Sequence, residues 1–130
     1  MTRHTQHILF FLRICFEISL RSNVGRSKEF QFWKFGTINV QSAKDDWRLE
    51  NAIRHVANAK LSFCAFQEVR RPTGNTIISH KSSRYEVHWS GYAAKSQAGV
   101  GIAIKITPGI EIIEVENISA RIITASLNLF

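Results

Sequence analysis

The sequence predicts an α/β fold built on a mixed sheet, and three observations carry that reading. A β-branched run at residues 35–40, an amphipathic stretch at 47–59 and an apolar run at 62–69 follow in strand, helix, strand order. After Pro72-Thr73-Gly74-Asn75 the periodicity changes to near-alternation in a series of runs. Pro108-Gly109 and Glu116-Asn117 are turn signals between the last three of them. The first three elements imply a parallel pair with a crossover, and the later runs imply an antiparallel meander joined to it.

Taken in order, the chain opens with Ile8-Leu9-Phe10-Phe11-Leu12, an apolar stretch that runs to Leu20 but is broken by Arg13 and Glu17. It is too short and too charged to span a bilayer, and no small-x-small cleavage site follows closely. Apolar positions 8, 11, 12, 15, 16 and 20 suit one helical face. The expectation for residues 1–30 is a peripheral amphipathic helix or poorly ordered extension, ahead of a degenerate signal sequence. Residues 21–29 are polar and read as a linker, so a domain over residues 31–130 is expected.

Phe35-Gly36-Thr37-Ile38-Asn39-Val40 reads as a buried strand, and Ser42 to Asp46 as a polar stop that caps the helix. In the helix, Trp47, Leu49, Ile53, Val56, Ala57 and Leu61 are mostly three or four apart, with Arg48, Glu50, Arg54 and Asn58 facing outward. Glu50 and Arg54 form an i, i+4 pair. Ser62 to Val69 is almost continuously apolar until Gln67-Glu68, the pattern of a strand covered on both faces. Tyr85 to Ser90 alternates, Gly99 to Lys105 alternates less strictly, and Ile110 to Val115 and Arg121 to Leu129 follow.

Composition narrows the function classes. The 130 residues are 45% hydrophobic and 21% charged, which fits a globular chain rather than a disordered one. Net charge is +7, with residues 1–34 contributing six basic and two acidic side chains. That excess suits either a polyanionic partner or simple solubility. Cys15 and Cys64 make no disulfide framework, and no Cys/His spacing would hold zinc. Cys64, inside an apolar run, is expected as a buried thiol. Histidines 4, 7, 55, 80 and 88 are scattered, and a structural or incidental role is expected for each, with His80 in a loop and His88 alternating out of a strand.

Two residues carry the chemistry. Glu68 stands at the carboxyl end of an apolar strand, where a carboxylate is costly to bury unless it is paired or bound to a cation. Asn39 occupies the equivalent end of the preceding strand, and ligands of open α/β sheets gather at such ends. One carboxylate and one amide form a hard-oxygen environment suited to Mg²⁺ or Mn²⁺, with water and substrate phosphate completing the shell. Spacing alone favours a simpler alternative. Glu68 then pairs with Arg70 or Arg71, and Asn39 only begins a turn.

The ordered pattern shifts that balance. Gly36-Thr37-Ile38-Asn39-Val40-Gln41-Ser42, a helix, then Phe66-Gln67-Glu68-Val69-Arg70 resembles the first two motifs of the endonuclease/exonuclease/phosphatase superfamily, which includes the deoxyribonuclease I-like endonucleases. Tyr85-Glu86-Val87-His88-Trp89-Ser90-Gly91, Gly99-Val100-Gly101-Ile102-Ala103-Ile104 and Ser119-Ala120-Arg121-Ile122-Ile123 continue the likeness. It covers about residues 34 to 129 and is nearest in wording to LINE-type retrotransposon endonuclease domains and craniofacial development protein 2-like proteins.

The resemblance implies roles only where residues match. Glu68 takes the family's metal-binding glutamate role, and Asn39 a metal-site or phosphate-orienting role. The implied reaction is Mg²⁺-dependent phosphoester hydrolysis, with DNA as partner, and the compartment stays open, an intracellular or nuclear one being compatible with the resemblance. The family's tyrosine motif, its Asp-x-Asn motif and its terminal Asp-His pair find no match in this sequence, and His80 and His88 occupy the wrong part of the pattern. The expectation is therefore the N-terminal half of a two-sheet α/β sandwich: one sheet with an uncovered apolar face, weak Mg²⁺ or Mn²⁺ binding, and self-association through that face. Two function classes stand, a truncated nucleic-acid hydrolase without turnover and a non-catalytic interaction fragment. A phosphoinositide or sphingolipid phosphatase of the same superfamily is weaker than either.

Overall fold

In the computed structural model, residues 33–91 and 98–130 are described in full, together with the backbone of two N-terminal strands, β1 (His4–Phe11) and β2 (Phe16–Ile18). The elements that follow are β3 (Phe35–Asn39), α1 (Asp46–Asn58), β4 (Phe63–Gln67), β5 (Gly74–His80), β6 (Ser83–Ser90), β7 (Val100–Lys105), β8 (Ile110–Ser119) and β9 (Ile122–Leu129). They form a mixed α/β fold of two sheets. The first has strand order β3-β4-β7-β6-β5 and the second β2-β1-β9-β8. β3 and β4 are parallel, and every other pair is antiparallel.

The parallel pair follows from the crossover through α1, as expected. Asp45 stands at the helix N-cap with extended backbone, and its carbonyl accepts from Arg48 N and Leu49 N. Leu49, Ala52, Ile53 and Val56 are the buried face of α1. Trp47, expected on that face, is instead 63% exposed and lies beside the Arg48 guanidinium, 5.3 Å from the ring centroid. The Glu50–Arg54 pair does not form either, because Arg54 turns to the Asn51 side chain.

Two cores flank the first sheet. On one face α1 packs on Cys64, Phe66, Tyr85, Val87, Trp89 and Ala103. On the other, Phe63, Ala65, Val100, Ile102 and Ile104 meet Ile110, Ile123, Ala125, Leu127 and Leu129 of the second sheet. β4 and β7 are thus buried on both sides, which is why they read as near-continuous apolar runs. The layers are helix, sheet, sheet.

This corrects the expectation of a single sheet with an uncovered face. The later strands do not continue one meander. After β7 the chain passes through Ile106 to Gly109, where Ile110 N bonds to Thr107 O and Phe130 N to Gly109 O, and β8 and β9 fold back over the first sheet. Covering that apolar face removes its surface from water, about 1.5–3 kcal/mol for each large side chain.

Three further expectations change. Glu116-Asn117 lies inside β8, and the turn falls at Ala120-Arg121 between the paired Ser119 and Ile122. β8 reaches that far by taking bulges at Ile113 and Ile118. His80 is the last residue of β5 rather than a loop residue, and a two-residue connection with Lys81 at φ 54° leads to Ser83. The N-terminal apolar run pairs as a strand and not as a helix, with His4 to Phe11 in unbroken register against Leu129 to Ile122. An open β9 edge offers backbone partners to β-branched and aromatic residues, and that outweighs a passable helical period. Cys15 and the 21–29 linker lie outside the described residues.

Candidate functional site

The carboxyl ends of β3 and β4 bring the sequence-predicted residues together. Asn39 ends β3 opposite Gln67, the last residue of β4, and Glu68 follows directly. Beyond these ends the two chains remain tied. Val40 N bonds to Gln67 O at 3.1 Å, Ser42 N to Glu68 O at 2.9 Å and Ala43 N to Val69 O at 2.8 Å. The start of β7 joins them through Val69 N to Gly99 O and Arg70 N to Ala98 O.

The backbone here takes conformations that L-residues avoid. Gln41 (φ 50°), Ser42 (φ 110°), Glu68 (φ 55°) and Arg70 (φ 54°) have positive φ, as does Gly99 (φ 123°). Four of the six such non-glycine residues among those described fall in these two strand-end loops. Each costs about 1–3 kcal/mol and persists where the surrounding hydrogen bonds impose it. The effect on Glu68 is directional. A strand residue there would turn toward the helix layer, and the left-handed backbone re-aims its side chain.

Asn39 is exposed, and its Oδ1 accepts from Gln41 N at 3.1 Å, which closes a local turn. That is the turn-forming role raised by spacing alone. It leaves the other lone pair of Oδ1 and the amide NH₂ for a ligand. Glu68 was expected as a costly buried carboxylate. It is instead 36% exposed and lies 3.7 Å from the Arg70 guanidinium, a loose ion pair at a solvent-facing position. Arg70 Nε is buried with no hydrogen-bond partner. Arg71, the other expected partner of Glu68, goes elsewhere: its guanidinium contacts Asp46 at 3.0 Å and Ala43 O at 3.2 Å.

Among the described residues no group of three His, Cys, Asp or Glu side chains is arranged to hold a metal. The donors at the strand ends are one carboxylate, Glu68, and one amide, Asn39. Such a set fits a hard, mostly hydrated cation such as Mg²⁺, which takes one or two carboxylates and fills its octahedron with water and phosphate. It does not fit zinc or a softer metal.

One polar pair escaped the reading of the sequence. His88 Nε2 lies 2.8 Å from Glu86 Oε1, both on the β6 face turned toward the second sheet. The signal was the i, i+2 spacing within an alternating strand. His88 pairs in register with Ile102, Ile102 with Ala65 and Ala65 with Thr37. Three strand spacings, about 14 Å, therefore separate it from β3. His80 lies at the far edge on β5, so neither histidine serves the Asn39 and Glu68 end.

Cys64 is fully buried and reduced, and burial pushes its thiol up to about 12. Among the described residues no helix is long and apolar enough to cross a membrane. No family model, curated protein or solved structure matches the chain.

Proposed function

We propose that this chain carries metal- and phosphate-holding residues of a Mg²⁺-dependent phosphodiesterase-like site for nucleic acid, without turnover of its own. The observation that supports the reading is the register of Asn39 with Gln67, the residue before Glu68, at strand ends that lead into loops with left-handed backbone. Glu68 would hold the cation, and Asn39 would orient a phosphate oxygen. When bound, Mg²⁺ supplies charge stabilisation to the phosphoryl oxygens. Lys44 is exposed and Arg70 is 41% exposed at the same rim, a cationic border suited to a phosphate backbone. Among the residues described at this end there is no histidine within reach to take a proton from an attacking water.

The Glu68–Arg70 contact favours a second reading, a non-catalytic interaction fragment whose carboxylate is already partnered. Mn²⁺ titration with and without a phosphodiester ligand separates the two. The first reading expects weak binding, strengthened by the ligand and abolished in Glu68→Ala, with no Mg²⁺-dependent nicking of supercoiled plasmid. Absence of any divalent binding leaves the interaction reading. Nicking that survives repurification and is lost in Glu68→Ala would overturn the claim that turnover is missing.

A further inference from the structure

The open edges of the two sheets treat their free backbone groups differently. β8 carries two bulges and exposes Glu111, Glu114 and Glu116, devices that discourage pairing with another chain. β2 has three residues and β3 five. β5 is the exception. Its seven residues, Gly-Asn-Thr-Ile-Ile-Ser-His, include no Lys, Arg, Asp, Glu or Pro. Its register with β6 is unbroken from Gly74 against Trp89 to His80 against Ser83. Among the described residues its other edge carries no strand, and Ile77 at its centre is 53% exposed.

A groove of about 450 Å³ runs beside this edge, between β5 and one stripe of α1. Trp47, Glu50 and Arg54 line it from the helix, and Ile78 and His80 from the strand. Glu50 has no ion-pair partner among the described residues, and Arg54 holds only the neutral Asn51 side chain.

We propose that β5 is a self-association edge, on which β5 of a second copy of this chain pairs antiparallel about a two-fold axis through Ile77. The five-stranded sheets then join into one of ten strands. In that register Ile77 meets Ile77 of the second copy, Thr76 meets Ile78, Asn75 meets Ser79 and Gly74 meets His80. Apolar or β-branched residues meet their like, the two short polar side chains meet each other, and glycine faces the largest ring. The nearest cation, Lys81, falls opposite Thr73 and not opposite itself, so the excess of positive charge does not oppose the seam.

The occupant follows from charge. A two-fold axis normal to the sheet puts both copies of α1 on one face, antiparallel across the seam. The stripe of each helix then faces the same stripe of the other. Glu50 of one copy is directed toward Arg54 of the second, and the exposed Trp47 ring is covered by the same guanidinium. A stripe with one acid, one base and one aromatic is complementary to itself, as an isologous interface requires. This interface is separate from the strand-end site and does not rest on its phosphoester reading. It also differs from association through a sheet face, which the second sheet already covers.

Sedimentation equilibrium of the full chain over a concentration series tests the proposal, with Ile77→Lys and Ile77→Glu as variants and circular dichroism as the folding check. The wild type should populate a dimer. Each variant should weaken it by about tenfold or more, because two like charges meet at the axis. An equimolar mixture of the two variants should restore the dimer, since residue 77 of one copy faces residue 77 of the other. Glu50→Arg should weaken the wild-type dimer, and adding Arg54→Glu should recover it. A wild type that stays monomeric throughout the series overturns the proposal. So does a dimer indifferent to both Ile77 variants, or a mixture that remains monomeric.

Discussion

Arg71 lays its guanidinium over the indole of Trp89, 4.2 Å from the ring centroid, and from there reaches Ala43 O at 3.2 Å and Asp46 Oδ1 at 3.0 Å. One side chain thereby ties the loop after β4 to β6 and to the segment entering α1, directly behind the strand-end site. The three contacts are unequal. Asp46 is 84% exposed, and an ion pair in that setting contributes under about 1 kcal/mol. The Arg71 side chain is only 16% exposed, so its stacking and its bond to a backbone carbonyl dominate.

Arg71→Ala should therefore cost about 2–3 kcal/mol in urea unfolding, whereas Asp46→Ala should cost under about 0.5 kcal/mol. Arg71→Lys should recover less than half of the loss, because a lysine cannot stack its charge and reach the carbonyl in one planar fork. Equal costs for Arg71→Ala and Asp46→Ala would show that the surface ion pair is the real tie.

Glu68 stands at φ 55°, where a side chain costs about 1–2 kcal/mol. Replacing it by glycine relieves that strain but adds about 0.5–1 kcal/mol of chain entropy to the unfolded state. The net expectation for Glu68→Gly is a gain of about 0.5–1 kcal/mol in stability with loss of divalent binding. Glu68→Val, with a β-branched side chain, should lose stability. A destabilised Glu68→Gly would rule out the strain account.

Asn39 is exposed and already turns Oδ1 to Gln41 N. Aspartate preserves that turn and adds a second carboxylate at the same strand ends. Calorimetric titration with Mn²⁺ should show weak binding in the wild type and about tenfold tighter binding in Asn39→Asp. Submicromolar affinity in the wild type would contradict a two-donor site, and no gain in Asn39→Asp would separate the two residues.

Alkaline pH offers a test of the core. The Cys64 thiol is pushed by burial from 9.0 up to about 12, so the folded state keeps a proton that the unfolded state loses. Stability should be fully present below about pH 9 and should fall as pH rises toward about 12, by at most about 1.4 kcal/mol per pH unit. Tyr85, raised by burial and by the neighbouring Cys64, adds a loss of the same sign that begins from its ordinary 10.0. In Cys64→Ala the decline should begin about one pH unit later. An unchanged onset in urea midpoints would show that the thiol is not what titrates.

Much of the element order was legible from local pattern. The crossover helix, the parallel β3–β4 pair and the doubly covered β4 are written in apolar spacing, because burial on two faces leaves β4 apolar up to its last residue, Gln67. Asn39 and Glu68 were legible as strand-end residues for the same reason. Their local geometry was not. Nothing in Gln67-Glu68-Val69-Arg70 announces alternate residues at positive φ, which the bonds from Ser42, Ala43, Gly99 and Ala98 impose from outside the segment. Trp47 misled because it is apolar, yet at 3.6 residues per turn it falls on the side of α1 away from Leu49, Ile53 and Val56, and it stays exposed.

The sequence by itself determined which faces of which elements are apolar, and hence the strand, helix, strand unit and the pair of residues at its carboxyl ends. Only the tertiary structure decided what covers those faces. β8 and β9 turn at Pro108-Gly109 to roof the first sheet, and the run at residues 4–11 becomes a strand because β9 presents an unpaired edge. Apolar periodicity is a property of neighbouring residues, whereas the partner that removes a face from water, and the bonds that twist Glu68 out of its strand, come from residues far along the chain.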